Sequence, residues 1–453
     1  MTLHETQHPY CIGIGGIGVS AIARYFLASN RPVHGSDARP SMVTDRLAQQ
    51  GATFTIGPPP ALPDDTDLVI YSADVPVEHP LRQAAARRGI ASLAYADALA
   101  QLIAPSDTRI VVTGTNGKST TTALTGWLFA AAGQDPTVVV GSLVPQLNGN
   151  YRPGNGRVAI CEGDEYQGHF LSLAPTTAVL TNVEMDHPNY FRDLDDVVAH
   201  VRRFLNRLPP DGLVVANGDE PLLGTRLATG HRRVTYAVRA NHATLLCWPG
   251  LIEKGRRQLS FAYQGTPVGE TTFQLPGHYN VANAAAAVLT ALEHGLPADR
   301  VLAGLASFRG LWRRFEIVGE HARAVIISDY AHHPTAVRHV IAAAREWYPG
   351  HQVVVAFQPH NRARFALLRD AFAAALTGDV QLVTEVYAVT GRETGSDAVS
   401  ARSLVQTIRD QGRDASFVES PEALRQRLRA LCQPNTVVLV LGAGDIDHVA
   451  RTL

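Results

Sequence analysis

Residues 109–132 read RIVVTGTNGKSTTTALTGWLFAAA: an apolar strand, a loop with two glycines, and a helical pattern. Glycines let several backbone N–H groups and a helix N-terminus face one anion, while lysine supplies a positive charge and the hydroxyl a Mg²⁺ ligand. Val112 stands where the general phosphate-loop pattern has its first glycine, so this loop is a variant. We expect ATP to bind at Gly114, Thr115, Asn116, Gly117, Lys118, Ser119 and Thr120.

The lysine in this loop stands out from the composition of the chain. Lysine occurs only at Lys118 and Lys254, and arginine fills the other basic positions. A compact ammonium on a flexible stem suits contact with phosphate oxygens better than a planar guanidinium does. The position of Lys118 therefore favours a chemical role over a helix-capping glycine turn.

Length and charge limit the classes of protein. At 453 residues the chain is too long for one core and suggests three domains. The 45% hydrophobic and 18% charged residues are typical of a globular protein, and a net charge of -1 gives no basic field. We therefore expect no nucleic-acid partner. The sequence does not indicate an oligomeric state.

The cysteines and the N-terminus indicate the cellular compartment in which the protein is expected. Cys11, Cys161, Cys247 and Cys432 lack C-x-x-C spacing, which favours free buried thiols in a reducing compartment. The first ten residues carry no basic-then-apolar signal, and no apolar run approaches the length of a membrane span. A cytoplasmic enzyme without a membrane partner is the expectation.

Strand-like runs alternate with longer helical patterns along the chain, which predicts βαβ units and parallel sheets. We place domain boundaries near the segment Ala104 to Asp107 and near the segment Arg309 to Leu311. The predicted domains are residues 1–105, 106–310 and 311–453. The predicted strands are Tyr10 to Ile14, Asp67 to Tyr71, Arg109 to Thr113, Val158 to Cys161, Ala178 to Thr181, Val325 to Ser328, Gln352 to Phe357, Val380 to Val386 and Thr436 to Leu441.

A second glycine loop, Gly13 to Gly18, follows the first predicted strand and has the pattern G-x-G-x-x-G. Asp37 lies about twenty residues further on, where an acidic group contacts a ribose hydroxyl in dinucleotide-binding folds. The signal is weak, because such a loop fits any diphosphate at a helix N-terminus. NAD, a nucleotide sugar such as a UDP derivative, and an empty glycine turn all remain open at this point.

Two acidic clusters follow strands in the middle of the chain. Glu162 and Glu165 belong to the first, and His187 ends the second. Ligands commonly gather at the carboxyl ends of parallel strands. Carboxylate oxygens there suit Mg²⁺ beside the phosphates, and His187 suits a second ion or the orientation of a carboxylate. Each cluster alone also fits a helix cap or a solvated loop.

Together these motifs resemble the Mur ligase family over nearly the whole chain. The motifs are the two glycine loops, Glu162-Gly-Asp-Glu165, Thr181-Asn-Val-Glu-Met-Asp-His187, Asn280-Val-Ala-Asn283, Arg313-Arg-Phe315, Asp329-Tyr-Ala-His-His-Pro334, Phe357-Gln-Pro-His360 and Gly442-Ala-Gly-Asp-Ile446. Within the family, the opening and the three C-terminal motifs are most similar to the alanine-adding members.

The resemblance implies an α/β enzyme of three domains: a Rossmann-like N-terminal domain for a UDP-sugar, a central P-loop-type ATPase domain with a mostly parallel sheet, and a Rossmann-like C-terminal domain for the amino acid. It implies an ATP- and Mg²⁺-dependent ligase that joins L-alanine to the lactyl carboxylate of UDP-N-acetylmuramate. The reaction passes through an acyl phosphate, and the product is a peptidoglycan precursor.

The resemblance also assigns roles to residues. Lys118, His187, Arg314, His332 and His360 are the implied catalytic residues, and Ser119, Glu162 and His187 the implied metal ligands. Asn280, Asn283, Arg314 and Asp329 join the phosphate loop in binding ATP. The implied substrate contacts are Gly15, Gly16, Ile17, Gly18, Asp37, Ser72, His333 and Arg364.

Some positions depart from the usual family pattern. Asn116 and Tyr279 each replace a histidine, Asn361-Arg362 replaces Arg-Tyr, and Tyr166-Gln167 replaces Ser-Asp. Tyr166 and the stretch Asp186 to Leu194 are similar to the ligase that recycles murein tripeptide, which is the main alternative. Other Mur-type ligases, a folate-polyglutamate ligase, an NAD-dependent dehydrogenase and a non-catalytic nucleotide-binding protein are the remaining alternatives.

Overall fold

Three β-sheets, one after another along the chain, organise the protein. The structure is a computed structural model that describes residues 2–58, 60–387 and 400–453. Each sheet carries helices and has mostly parallel strands. The predicted fold class, a three-domain α/β protein, is confirmed.

The first sheet has five parallel strands in the order β3-β2-β1-β4-β5. Strand β1 lies in the middle of the sheet, between β2 and β4, and its four residues are all buried. The first glycine loop leaves the carboxyl end of β1, which is the switch point where ligands bind in such sheets. The elements are β1 Pro9–Ile12, α1 Ile17–Ala28, β2 His34–Asp37, α2 Met42–Gln49, β3 Thr53–Ile56, β4 Leu68–Tyr71, α3 Pro80–Arg87, β5 Ala91–Ala94 and α4 Tyr95–Ile103.

The second sheet has ten strands in the order β15-β14-β13-β12-β11-β10-β6-β9-β7-β8. Strands β7, β9, β6, β10, β11, β12 and β13 are parallel, while β8, β14 and β15 pair antiparallel at the two ends. The elements are β6 Thr108–Thr113, α5 Lys118–Ala131, β7 Thr137–Val144, β8 Gly149–Arg152, β9 Val158–Glu162, β10 Thr177–Leu180, α6 Leu194–Leu205, β11 Leu213–Asn217, α7 Pro221–Arg226, β12 Arg232–Ala237, β13 Leu245–Glu253, β14 Arg256–Tyr263, β15 Thr266–Phe273, α8 His278–Glu293 and α9 Ala298–Ser307.

Small residues bring α5 and α8 together over this sheet. The α8 run Ala284 to Ala287 is fully buried, and a methyl group at Gly126 of α5 would collide with Val138 of β7. Close packing of α5 and α8 places Asn283 directly beside the phosphate loop, where its Oδ1 accepts a hydrogen bond from Thr121 (3.2 Å).

The third sheet has the order β16-β17-β21-β18-β19-β20, and only β16 is antiparallel to its neighbour. Its central strands, β18 and β21, are almost completely buried and rich in valine, as expected for a sheet covered on both faces. The elements are β16 Glu316–His321, β17 Ala324–Asp329, α10 Pro334–Trp347, β18 Gln352–Phe357, α11 Arg362–Ala375, β19 Val380–Thr384, α12 Ala401–Asp410, β20 Ala415–Val418, α13 Pro421–Leu431, β21 Thr436–Leu441 and α14 Asp447–Arg451.

The sequence-based strands agree with the structure to within two residues at most ends. The strand at Val380 ends at Thr384 rather than Val386, and the hairpins β13 to β15 were not anticipated. All four cysteines are buried free thiols, as predicted. No helix in the described parts of the chain has the length and apolar character of a membrane span.

Candidate functional site

The phosphate loop connects β6 to α5 and needs glycine at two positions. Gly114 and Gly117 have left-handed φ angles of 136° and 85°. A Cβ at Gly114 would lie 2.2 Å from Oγ1 of Thr181, and one at Gly117 would lie 2.4 Å from Oδ1 of Asn283. Backbone freedom and close packing both require glycine here, and the loop ends at the N-terminus of α5, as the sequence predicted.

The Lys118 side chain is 14% exposed and folds back over its own loop. Its Nζ donates to the carbonyl oxygens of Gly114 (2.7 Å) and Thr115 (3.2 Å) and forms an ion pair with Oε2 of Glu165 (2.8 Å). Burial acts to lower the pKa of Lys118, but nearby carboxylates, Glu165 first, outweigh it and raise that pKa. The ammonium is therefore held charged at the centre of the loop.

Acidic groups and a histidine gather beside Lys118. Ligand atoms of Asp164, Glu165 and His187 all lie within 4.8 Å of one another. Burial raises the pKa of Glu165 to about 7, although Lys118 opposes the shift. Burial also acts to raise the pKa of Asp164, but the hydrogen bond from His169 and the Lys118 charge bring it below its usual range.

The predicted metal ligands Ser119 and Glu162 line the same cavity, whereas Glu165 is the carboxylate beside His187. One oxygen of Glu162 accepts the backbone N–H of Gly141 (2.8 Å). A Cβ at Gly141 would approach that oxygen to 2.5 Å, so glycine leaves room for the carboxylate. Ser119, Glu162 and His187 thus line one cavity. Glu165, the other carboxylate that the sequence suggested for Mg²⁺, and Asp164, which it did not suggest, lie beside His187.

His187 is fixed by contacts from two domains. Its backbone has a left-handed φ of 54°, and its ring lies 4.6 Å from the Tyr166 ring, centroid to centroid. Nδ1 lies 3.4 Å from Nη2 of Arg364, and Arg364 Nε donates to Oδ1 of Asp186 (2.7 Å). Burial lowers the pKa of His187 to about 4, so its imidazole is neutral at neutral pH.

The buried Asp186–Arg364 pair connects the middle domain to the C-terminal domain, and both side chains are at most 8% exposed. Asn361 has a left-handed φ of 65°, and its side chain caps α11 by accepting the N–H of Arg364 (3.0 Å). Asparagine tolerates this backbone better than most residues do. Asn361, which departs from the family pattern, therefore forms the N-terminal cap of α11 and positions Arg364 beside Asp186.

Three further predicted residues of the C-terminal domain, Arg314, His332 and His360, line the same cavity as the phosphate loop. Arg314 Nη2 donates to the Ser119 hydroxyl (3.3 Å). The rings of His332 and His360 lie 5.9 Å apart, and Nδ1 of His332 lies 2.8 Å from the carbonyl oxygen of Tyr330. Burial lowers the pKa of His332 well below its usual value. Since a carbonyl only accepts, Nδ1 of His332 carries the proton and Nε2 is the free acceptor.

His333 caps the start of α10 and contacts the middle domain. Its Nδ1 accepts the N–H of Thr335 (3.4 Å) and lies 3.7 Å from Oε2 of Glu184. The hydroxyl of Thr335 donates to the same Glu184 oxygen (2.8 Å). His333 lines the cavity at the phosphate loop, but its ring serves the junction between the two domains.

Two cavities lie at these junctions. The first, about 480 Å³, is lined by all three domains and contains the glycine loops together with Glu162, His187 and His360. The second, about 830 Å³, lies between the middle and C-terminal domains. Asn116, Gly117 and Arg314 line both, so the phosphate loop borders the two cavities. After the ligands that the sequence predicts, we call the first cavity the substrate side and the second the nucleotide side.

On the nucleotide side, Asn283 and Asp329 line the cavity but Asn280 does not. Asn280 is buried, and its amide donates to the carbonyl of Pro276 (2.8 Å) and accepts from Asn283 (3.2 Å). The carboxylate of Asp329 accepts the N–H groups of Phe315 (2.7 Å) and Ala331 (2.8 Å). The structure thus gives Asn280 and Asp329 supporting contacts within the protein.

Tyr279, which replaces a histidine of the family pattern, also lines the nucleotide side. Its ring stacks on His339 of α10, with centroids 5.7 Å apart and an interplanar angle of 6°. Because Tyr279 belongs to the middle domain and His339 to the C-terminal domain, this pair joins the two across the cavity.

In the first domain, Gly16, Ile17, Gly18 and Ser72 line the smaller cavity. Gly15 and Asp37 are not among its lining residues. Instead, Asp37 Oδ2 accepts the N–H of Gly15 (2.8 Å) from the end of β2. Asp37 therefore fixes the glycine loop in the structure.

Comparison with known proteins agrees with this arrangement. The Mur ligase family catalytic domain matches residues 8–106, the Mur ligase middle domain matches 112–291, and the Mur ligase glutamate ligase domain matches 313–444. The chain belongs to the Mur ligase family. The glycine loop at Gly13 is thus part of a Mur ligase domain and not of a dehydrogenase.

Two curated relatives match over almost their full length. The chain is 36% identical to a UDP-N-acetylmuramate–L-alanine ligase of Geobacter sulfurreducens, with 96% of this chain and 94% of the relative covered. It is 37% identical to the enzyme of that name from Sorangium cellulosum, with 99% and 96% covered.

Solved structures show the same Mur ligase architecture. A UDP-N-acetylmuramate–alanine ligase from Thermotoga maritima superposes with a TM-score of 0.83 at 28% identity and covers 98% of this chain and 97% of its own. A murein peptide ligase from Psychrobacter arcticus gives a TM-score of 0.73 at 22% identity, covering 99% and 98%, and shares the fold.

Proposed function

We propose that this chain is an ATP-dependent ligase that joins L-alanine to the lactyl carboxylate of UDP-N-acetylmuramate, a step in peptidoglycan precursor synthesis. The main support for this proposal is that one cavity is lined by the first-domain glycine loop, Lys118 and the C-terminal histidines. The similar curated relatives carry the name of this activity. Each domain thereby supplies the surroundings for one of three reactants.

Lys118 and Arg314 account for the phosphoryl transfer. A carboxylate is a poor electrophile, so the lactyl oxygen attacks the γ-phosphorus of ATP and ADP leaves, which gives an acyl phosphate. Charge on the transferred group is stabilised by preorganised positive groups in a site with little water. Lys118 donates to the loop carbonyl of Gly114, and Arg314 from the third domain donates to the loop hydroxyl of Ser119.

The donor atoms near Lys118 also fit Mg²⁺. Ser119 and Glu162 offer oxygen atoms on the cavity wall, and Asp164, Glu165 and neutral His187 offer three more ligand atoms close together. Oxygen-rich sets of this kind match the preferences of Mg²⁺. When bound, Mg²⁺ neutralises phosphate charge and orients the reacting oxygens.

His332 suits the second half of the reaction. The amine of alanine attacks the acyl carbon, phosphate leaves, and the new amide nitrogen must lose a proton. The neutral Nε2 of His332 is an acceptor, because Nδ1 donates to Tyr330. His360, whose ring lies beside His332, borders the same part of the cavity.

The test is phosphate release from ATP and Mg²⁺ with UDP-N-acetylmuramate and a panel of amines: L-alanine, glycine, L-serine and the murein tripeptide. A product heavier by one alanyl residue, formed fastest with L-alanine, is the expected result. Release only with the tripeptide would transfer the assignment to the recycling ligase, and no release with any amine would refute a ligase function.

A further inference from the structure

Tyr95, the first residue of α4, lies against the first glycine loop. A Cβ at Gly18 would lie 2.8 Å from Cε1, 2.9 Å from Cζ and 3.0 Å from Cδ1 of the Tyr95 ring. No side chain fits between them without moving the ring. The third glycine of the G-x-G-x-x-G pattern is therefore explained by the close approach of this tyrosine.

The same ring lines the cavity of about 480 Å³ where the first and middle domains meet. Gly16, Ile17 and Gly18 of the first domain and Glu162 and Asp164 of the middle domain also line it. Tyr95 thus contacts the loop suited to a diphosphate and lines the cavity that it shares with the loop suited to ATP.

The hydroxyl of Tyr95 makes no hydrogen bond to another described residue. Tyr95 is half-buried in the cavity wall, so its hydroxyl can bond to a group that enters the cavity. Burial raises the pKa of Tyr95 well above its usual value, and the charges of Cys161, Glu162 and Asp164 act in the same direction. The hydroxyl stays protonated and remains a donor.

Among the described residues, the first domain gives this cavity no lysine or arginine. Its lining residues are Gly16, Ile17, Gly18, Val19, Ser72, Ala73, Asp74, Tyr95, Ala96 and Leu99. The positive groups in the lining, Lys118, Arg314 and Arg364, come from the other two domains. An anion held by the first domain must therefore be bound by neutral donors, namely backbone N–H groups and hydroxyls.

We propose that the Tyr95 hydroxyl donates a hydrogen bond to an anionic oxygen of the nucleotide-sugar substrate. This proposal rests on the proposed function for the identity of that ligand. The acceptor is an oxygen of the diphosphate or of the lactyl carboxylate, because the ring contacts the first glycine loop and lines a cavity that also contains the second. Tyr95 is accordingly a substrate-binding residue beyond the motifs of the sequence.

The test is calorimetric binding of UDP and of UDP-N-acetylmuramate to the wild-type protein and to Tyr95→Phe, which keeps the ring against Gly18. Loss of a hydrogen bond to a charged group predicts about 10- to 100-fold weaker binding of UDP-N-acetylmuramate. The matched control is Tyr10→Phe, a buried tyrosine of β1 in the same domain that does not line the cavity. This control should bind like wild type.

Comparing UDP with UDP-N-acetylmuramate distinguishes the two candidate acceptor oxygens. If Tyr95→Phe binds both ligands more weakly than wild type, the acceptor is a diphosphate oxygen. If it binds only UDP-N-acetylmuramate more weakly, the acceptor is an oxygen of the lactyl carboxylate. Unchanged affinity in Tyr95→Phe, with normal wild-type binding, refutes the role of Tyr95 and leaves the ligase function standing. A wild-type protein that does not bind UDP-N-acetylmuramate refutes both.

Discussion

The two glycine loops of this protein share a backbone plan but differ in charge. Each connects a central parallel strand to a helix, β1 to α1 in one case and β6 to α5 in the other. The first loop faces the cavity with no lysine or arginine from its own domain. The second holds Lys118, which is paired with Glu165 and lies near Arg314 and His187.

This difference separates binding from chemistry. Backbone N–H groups at a helix N-terminus hold an anion whose charge does not change. A transferring phosphoryl group redistributes its charge, so side-chain charges that are fixed in advance stabilise it further. Substitutions at the second loop should therefore reduce turnover strongly, and those at the first should weaken binding slightly.

The largest effect is expected for Lys118→Ala. Removing the ammonium takes away a fixed charge beside the transferred group, and we expect turnover to fall by about 1,000-fold or more. The measurement is steady-state phosphate release. Lys254→Ala is the matched control, because Lys254 is the only other lysine and lies in the exposed turn between β13 and β14. Equal turnover in the two variants would refute the distinction between the loops.

The second expected effect is a pH dependence of unfolding at the charged loop. The folded pKa of His187 is about 4, below the ordinary 6.5, so the unfolded chain binds a proton first as the pH falls. The stability contribution of neutral His187 is present above pH 6.5 and is lost towards pH 4. From those two values we expect a loss of about 3 kcal/mol by pH 4.

Proton uptake on thermal unfolding measures this term directly. At about pH 5, calorimetry in buffers of different ionisation enthalpy should show about one more proton taken up by wild type than by His187→Gln. The same comparison at pH 8 should show no difference. Equal uptake at pH 5 would mean that His187 titrates normally in the folded protein.

The next largest effect is expected for Asp186→Asn, because this substitution removes the negative charge of the carboxylate that contacts Arg364 and His187. Breaking one side of a buried ion pair leaves the other charge uncompensated. We expect kcat to fall by about 100-fold with a smaller change in the KM for ATP. Asp195→Asn, which weakens the exposed pair with Arg226, should not change kcat. A normal kcat in Asp186→Asn would show that this junction has no part in the chemistry.

A smaller effect is expected on the nucleotide side. Glu346 is the penultimate residue of helix α10. Its Oε1 lies 2.5 Å from Nη2 of Arg257 and 3.3 Å from Nε2 of His278, both in the middle domain. Glu346 lies about 18 Å along α10 from its first residue. Glu346→Gln should raise the KM for ATP by about tenfold with kcat nearly unchanged, since it loosens the nucleotide cavity.

Arg345→Gln is the control for this change. Arg345 is the neighbour of Glu346 on the same helix, but its partner Asp379 (2.9 Å) lies within the C-terminal domain. If both variants raise the KM equally, the effect comes from general weakening of α10. If neither does, the contact between the domains at Glu346 does not shape the ATP site.

The smallest effect is expected at the first loop. Asp37→Asn keeps the shape of the side chain but removes the charge that accepts the N–H of Gly15. A hydrogen bond weakened in this way predicts UDP-N-acetylmuramate binding that is weaker by a few-fold, with kcat unchanged. Calorimetry gives the affinity. A hundredfold loss would instead indicate direct contact between Asp37 and the ligand.

The sequence predicted best what depends on local spacing. The phosphate loop follows from glycines and a lysine within seven residues, and the parallel strands follow from apolar runs. The sequence did not predict contacts between side chains that are far apart along the chain. Lys118 and Glu165 are 47 residues apart, and Asp186 and Arg364 are 178 apart, so only the folded chain shows that they meet.

The roles of some predicted residues also depend on burial, which the sequence does not contain. Asn280 belongs to a recognisable Asn-x-x-Asn motif, yet packing turns its amide to Pro276 and Asn283. Tyr95 lies in no motif, and its contact with Gly18 depends on how α4 packs on α1. The antiparallel strands β13 to β15 have exposed faces and mixed polarity, so their sequence pattern resembles that of loops and did not predict strands.

The central claim is that the substrate carboxylate attacks ATP at the charged loop. The direct measurement uses UDP-N-acetylmuramate with ¹⁸O in its lactyl carboxylate, together with ATP, Mg²⁺ and L-alanine, followed by mass spectrometry of all products. An acyl phosphate transfers one labelled oxygen to inorganic phosphate and leaves the other in the amide. Label in AMP, or phosphate without label beside a labelled amide, would contradict the account.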